Sequence, residues 1–272
     1  MDIKDTIGQF YLIDGQLQPL ASLAKLSISD ERPVYEVIRV IEGVPLFLQD
    51  HVDRMHASLT MLGRVFPISS ASMSAQIRLL AETEKMRNFN VKIILYLAGN
   101  TQRMLLYISR SHYPGQDQID QGVAVSLLHR ERTTPNAKIV DPNYKQLVSD
   151  TILRDQVFEV LLVNTSKEVT EGSRSNVFFL KGDQLYTAPQ HQVLKGITRK
   201  YVLQVSKSVG IKVMEEAVKL EELTQMDGLF LSGTSLKVLP VARIEQATYG
   251  SSTLPSFLAL RDGFDRLIET VL

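Results

Sequence analysis

The sequence predicts an α+β protein of two domains, a small N-terminal α/β unit followed by a larger unit built on a mixed, barrel-like sheet. Three observations carry that reading. The 272 residues suffice for one large domain or two modest ones. The polar stretch Ser111–Asp120, with Pro114-Gly115, breaks the apolar patterning and reads as a linker. Beyond it, short β-rich runs divided by turn residues outnumber helices, which favours a mixed sheet over a regular βαβ repeat. The expected boundaries are 1–112, a linker at 113–120, and 121–272.

In chain order, Val34–Val40 is a β-rich run and Gly43–Leu48 its hairpin return. Asp50 is the expected N-cap of a helix that buries Val52, Met55, Leu59 and Leu62 and stops at Gly63. A second helix is expected from Ser70 to about Lys85. Val91–Leu97 and Met104–Ser109 pair around an Asn100-Thr101 turn. In the second domain, strands are expected at Val123–Leu128, Phe158–Asn164, Val177–Leu180, Leu185–Ala188 and Gly228–Leu231. Helices fit Tyr144–Asp155, Ile197–Val209 and Pro255–Val271.

Composition removes several chemistries. With no Cys there is no disulfide framework, thiolate nucleophile or cysteine-held cluster. Thirty basic against thirty acidic side chains argue against a protein that coats nucleic acid or an anionic membrane. The five His show no metal-ligand spacing, so no metal is expected. The acidic start Met1-Asp-Ile-Lys-Asp-Thr does not read as a signal peptide, and the longest strongly apolar run, Ile93–Ala98, is far below the ~20 residues that span a bilayer. A cytoplasmic protein is expected.

Five clusters remain that can carry chemistry. Thr170-Glu-Gly-Ser-Arg-Ser-Asn176 places a carboxylate beside a strand, suited to a protonated ring nitrogen or simply to a polar hairpin turn. Gly196-Ile-Thr-Arg199 opens an amphipathic helix, whose first N–H groups suit a phosphate, or it is a plain helix start. Ser232-Gly-Thr-Ser235 ends a strand with hydroxyls and amides, again an anion site or a turn. Arg54, one turn beyond His51, is either a phosphate clamp or a solvated helix residue. Lys138, between apolar neighbours, suits imine chemistry if its amine is kept neutral; otherwise it is a surface lysine.

In this order the clusters resemble the class IV, or fold-type IV, pyridoxal-phosphate enzymes, which include branched-chain and D-amino-acid aminotransferases and aminodeoxychorismate lyase. The resemblance runs from about Val34 to Val241. It rests on Tyr35-Glu-Val-Ile-Arg39-Val, on Phe47-Leu-x-x-His51-x-x-Arg54-Met, on TEGSRSN followed by LKGITR, and on Ser232-Gly-Thr with Leu239-Pro-Val. It implies a small α/β domain and a larger pseudo-barrel domain with pyridoxal 5'-phosphate between them, in a homodimer.

By the same resemblance Lys138 holds the cofactor as a Schiff base and then moves the substrate's α-proton. Glu171 pairs with the pyridine nitrogen. Arg54, the amides of Ile197 and Thr198, Gly233 and Thr234 bind the phosphate. Tyr144 falls near the phenolic oxygen, and Tyr35, Arg39 and Ser235 near the substrate. Lys145 is the rival lysine, set aside because it falls inside the following helix. Three positions depart from the pattern. Asp30-Glu-Arg-Pro33 stands where many members have Gly-Asp-Gly, Ala98 where some have a carboxylate-binding Arg, and Lys237 where aminotransferases usually have Glu.

The implied activity is amino-group exchange between an amino acid and a 2-oxo acid. The alternative is 4-amino-4-deoxychorismate lyase, which releases pyruvate and 4-aminobenzoate with the same lysine and cofactor. A third reading is a scaffold that binds a phosphate ligand without turnover.

Overall fold

A computed structural model describes residues 5–26, 28, 30, 32–132 and 134–272. The start Met1–Lys4 and Glu31 of Asp30-Glu-Arg-Pro33 lie outside the described residues. The chain forms two compact units. Unit 1 comprises residues 1–112, Ala137–Asp141 and 270–272; unit 2 comprises Tyr113–Asn136 and Pro142–Glu269. The catalytic candidate Lys138 is thus part of unit 1, whereas the chain on either side of its segment packs in unit 2.

Unit 1 is a six-stranded antiparallel sheet. Its strands are β1 (Thr6–Ile13), β2 (Gln16–Pro19), β3 (Val34–Ile41), β4 (Val44–Pro45), β5 (Phe89–Ala98) and β6 (Thr101–Ser109), in the order β2-β1-β6-β5-β3-β4. Alternation along β3 buries Val34, Glu36, Ile38 and Val40 and turns Tyr35, Val37 and Arg39 to the other face. Helices α1 (Leu48–Met61) and α2 (Ser70–Glu84) cover the buried face, with Val52, Met55, Leu59, Met73, Ile77 and Leu80 packed on the strands. On the opposite face Tyr11, Tyr96 and Tyr107 pack with Leu23 of the short turn Leu20–Lys25, and Tyr35 lies against them.

Some local expectations need correction. The N-cap of α1 is Phe47 in the left-handed region (φ 52°), so Asp50 lies inside the first turn, where its charge still favours the helix dipole. The hairpin return is only Val44–Pro45, because the chain turns at Phe47 into the helix. Strand β1 was hidden by Gly8 (φ 93°), which sits in a register break between Thr6 and Tyr11 and interrupts the alternation.

Unit 2 holds α3 (Gln116–Gln121), β7 (Val123–His129), α4 (Pro142–Asp155), β8 (Glu159–Val163), β9 (Glu168–Gly172), β10 (Asn176–Lys181), β11 (Gln184–Tyr186), α5 (Ile197–Ser208), β12 (Lys212–Met214), β13 (Val218–Lys219), β14 (Gly228–Gly233), β15 (Lys237–Ile244), β16 (Ala247–Thr248) and α6 (Pro255–Glu269). The segment read as a linker therefore contains a short helix. The mixed sheet runs β12-β11-β10-β14-β15-β7-β8-β9-β13, with β16 beside β15. One face closes over Val125, Leu161, Val177, Phe179, Leu229, Leu231 and Val241. On the other face Phe178 and Phe230 stack at 5.0 Å, and Phe257 of α6 lies 5.7 Å from Phe230. Strand β15 was unread because it contains Pro240, which precedes the stretch from Val241 onwards that β7 pairs. Among the described residues, no helix is long and apolar enough to cross a membrane.

Candidate active site

In unit 1, Lys138 sits on a short stretch laid along the edge of β3. Ile139 bridges Val34, the Tyr35 N–H donates to the Lys138 carbonyl at 3.0 Å, and the Val140 N–H donates to the Pro33 carbonyl at 3.0 Å. The Lys138 N–H donates to Ser58 Oγ of α1 at 3.2 Å. Both sides of this backbone are therefore fixed, and only the side chain is left to move. Its Nζ lies 4.7 Å from the centre of the Tyr35 ring, a cation–π distance. Lys92 approaches the same ring at 5.4 Å. Arg39 points to the same face of β3 as Tyr35.

Arg54 is buried, and its Nε and Nη2 donate to the two oxygens of Glu36 at 2.6 and 2.7 Å. His51 Nδ1 lies 2.8 Å from Glu36 Oε2. Burial alone would raise the Glu36 pKa, but the Arg54 charge, with hydrogen bonds from His51 and Arg54, holds it well below the carboxylate range. Burial lowers the His51 pKa, against the pull of Glu36, so the ring is neutral and its Nδ1–H donates.

In unit 2, Glu171, next to last in β9, is almost fully buried. Its Oε2 accepts from the Leu194 N–H at 3.1 Å, and Arg132 Nε lies 3.1 Å from Oε1. Asn176, across the hairpin, donates from Nδ2 to the Leu194 carbonyl at 3.0 Å. The backbone of one residue, Leu194, is thus held at both its N–H and its carbonyl, and this is how TEGSRSN and LKGITR meet. The Asn176 amide oxygen lies so close to Gly196 that any Cβ there would overlap it, so glycine is required for space. Gly196 has an ordinary φ of −61°.

Gly196 is the N-cap of α5 and supplies no side-chain cap. Ile197, Thr198 and Arg199 in the first turn are all buried. Among the described residues no side chain caps these opening amides, which suits them to an anionic acceptor. Ser232 is the direct partner of Asn176 across β10 and β14, hence on the same face. Its hydroxyl is buried and has no hydrogen-bond partner among the described residues. Gly233, Thr234 and Ser235 follow in the tight turn into β15, all half-buried.

Tyr144, near the start of α4, donates its hydroxyl to the Ser173 carbonyl at 3.2 Å, and the Arg132 guanidinium stacks 5.2 Å from its ring centre. The unit thereby brings Tyr144 to the Glu171 turn. Lys145 is exposed on the same helix. Lys237, also exposed, pairs with Asp265 at 2.8 Å.

Three participants escaped the sequence reading. Glu36 was quoted only as part of a motif, although its place among the core positions of β3 was a usable signal. Arg132 had none, since nothing separates it from Arg130 in the run His129–Arg132. Glu159 accepts the Ser173 hydroxyl, the Arg174 N–H at 3.2 Å and the Ser175 hydroxyl at 3.3 Å, and so shapes the turn after Glu171. Its signal was a lone carboxylate ahead of the apolar run Val160–Val163. Among the described residues, no group of three or more acidic or His side chains is placed to hold a metal.

Residues 33–244 match the family described as amino-transferase class IV. The chain belongs to that family. A D-alanine aminotransferase of Bacillus licheniformis is 28% identical over 229 residues, covering 80% of this chain and 81% of its own. An aminodeoxychorismate lyase of Bacillus subtilis is 23% identical over 256 residues, covering 88% and 86%. The branched-chain amino acid aminotransferase of Escherichia coli has the same fold, with a TM-score of 0.85 at 21% identity over 96% of this chain and 95% of that one. Class IV membership makes the protein an enzyme, a pyridoxal-phosphate-dependent transaminase or a lyase of the same family.

Proposed function

We propose that this class IV enzyme is an aminotransferase that exchanges an amino group between an amino acid and a 2-oxo acid, with Lys138 carrying pyridoxal 5'-phosphate. One observation carries the reading. The Leu194 backbone ties a buried carboxylate, Glu171, to the start of α5, which carries no side-chain cap and matches a ligand with a protonated ring nitrogen and a phosphate. The Ser232 hydroxyl, buried and without a partner among the described residues, fits the phosphate too.

When bound, the cofactor supplies an electron-poor ring that stabilises negative charge at the substrate α-carbon. Glu171, held by Arg132 and Leu194, would accept from the ring N–H and keep that proton in place. Arg54, the Ile197 and Thr198 amides, Gly233 and Thr234 would hold the phosphate. Tyr144 would contact the phenolic oxygen. Tyr35 and Arg39 orient the substrate from β3, and Ser235 does so from the turn after β14. Lys138 Nζ takes the α-proton and returns it, and its pinned backbone keeps that amine on one path. The working form in this reading is a cytoplasmic homodimer, which sedimentation of the purified protein and fractionation of cells test.

The test is spectroscopic. The purified enzyme should absorb in the visible when loaded with pyridoxal phosphate, and one of a panel of amino donors should abolish that band with release of its 2-oxo acid. Lys138→Ala should lose both the band and turnover. A panel that leaves the band unchanged refutes the transaminase. The second reading is 4-amino-4-deoxychorismate lyase, supported by the 23% identity over 256 residues to an aminodeoxychorismate lyase. Pyruvate and 4-aminobenzoate formed from aminodeoxychorismate, with no second keto acid, decide for it.

A further inference from the structure

We infer that Glu36 and His51 are positioning residues for the cofactor phosphate, because they set the Arg54 guanidinium in the orientation that receives it. This rests on the reading above that Arg54 meets the phosphate. The starting point is a carboxylate in the wrong place. Alternation along β3 puts Glu36 between Val34, Ile38 and Val40 on the core-facing side, fully removed from water. A carboxylate is retained there only if its charge and lone pairs are matched. They are matched by two residues three apart on one face of α1, Arg54 through two nitrogens and His51 through one.

The geometry does more than neutralise. Side-on pairing through Nε and Nη2 fixes the plane of a planar guanidinium and removes the rotamer freedom of a long side chain. The remaining corner of the fork, Nη1, is then directed away from Glu36. His51 fixes the rotation of the carboxylate that does the holding, and as a neutral ring it adds no second cation to compete with Arg54.

Two roles for Glu36 predict opposite signs. If it only cancels the Arg54 charge, removing its own charge should strengthen phosphate binding. If it positions Arg54, the same change should weaken it. The experiment measures dissociation constants of pyridoxal phosphate and of pyridoxal, which lacks the phosphate, and takes their ratio as the phosphate preference. The wild type should show a clear preference. R54Q should abolish it, and E36Q should cut it at least tenfold with little change in pyridoxal affinity. E36Q/R54Q should match R54Q alone. H51L should reduce the preference, and H51N, which restores a donor near the Nδ1 position, should recover it.

A preference unchanged or increased in E36Q while R54Q abolishes it overturns the inference. A preference that survives R54Q overturns the Arg54 contact itself, and this inference with it. Should E36Q fail to fold, H51L and H51N decide: equal preference in the two refutes the positioning role.

Discussion

Gly196→Ala isolates the contact on which the unit 2 site depends. The backbone at Gly196 (φ −61°, ψ 134°) is open to any residue, so the substitution carries no conformational strain. The cost is steric. A Cβ would overlap Asn176 Oδ1, and that oxygen would have to retreat by more than about 1 Å to reach ordinary contact. Asn176 is buried, and its Nδ2 would lose the 3.0 Å bond to the Leu194 carbonyl. Overpacking of this kind costs about 1–3 kcal/mol, and a buried amide left unpaired costs a similar amount. Because one displacement causes both, the expected loss is about 2–4 kcal/mol. Urea denaturation of the apo protein measures it. Asn176→Ala removes the obstructing oxygen, so N176A/G196A should be no less stable than N176A alone, a coupling of about 2–4 kcal/mol. A G196A protein within about 0.5 kcal/mol of wild type, or a double mutant equal to the sum of the singles, refutes the reasoning.

Arg132→Met leaves buried Glu171 without its cation and should cost about 3 kcal/mol in denaturation; a loss below about 1 kcal/mol would show that Leu194 alone satisfies the carboxylate. Ser232→Ala removes a buried hydroxyl that has no partner among the described residues, so the apo protein should be as stable or up to about 1 kcal/mol more stable, while affinity for pyridoxal phosphate falls. Acid should destabilise the protein in two stages. The folded His51 resists a proton that the unfolded chain takes up below about 6.5, so stability falls there first. Glu36, whose pKa is depressed in the fold, contributes stability above about 4.5 that is lost as pH falls further towards its folded value. Urea midpoints between pH 7.5 and 5.5 should therefore fall in the wild type and flatten in H51N.

What the sequence revealed depended on how local the cause was. Helix α2 was legible almost to the residue because its signals are neighbours: Ser69 caps the Ser72 N–H, and the apolar face repeats within the helix. Strand β1 was not, because its pairing with β6 spans most of unit 1 and Gly8 breaks its period. The same division runs through the site. Gly196, Ile197 and Thr198 could be read as a helix opening toward an anion, since a helix start is a local event. That the opening lacks a cap and lies buried could not, because both depend on what packs around it. Arg132 is the extreme case, two residues from Arg130 in the same polar run and set apart by Glu171 arriving from 39 positions away.

In the proposed reading the two units prepare for an anion by contrary means, and the difference bears on how the protein folds without its cofactor. In unit 1 the cation, Arg54, is already compensated by Glu36, so the unit carries no uncompensated buried charge at that place. In unit 2 the preparation at α5 is made of backbone amides and a hydroxyl, which carry partial charges only. Leaving such groups unmet costs far less than leaving a guanidinium unmet in the same burial. In that reading each unit can fold by itself before any phosphate arrives. The overall balance of 30 basic and 30 acidic residues gives no hint of this. In that reading the buried guanidinium of Arg54 in unit 1 has its own carboxylate, and the groups at the start of α5 and at Ser232 in unit 2 are dipoles.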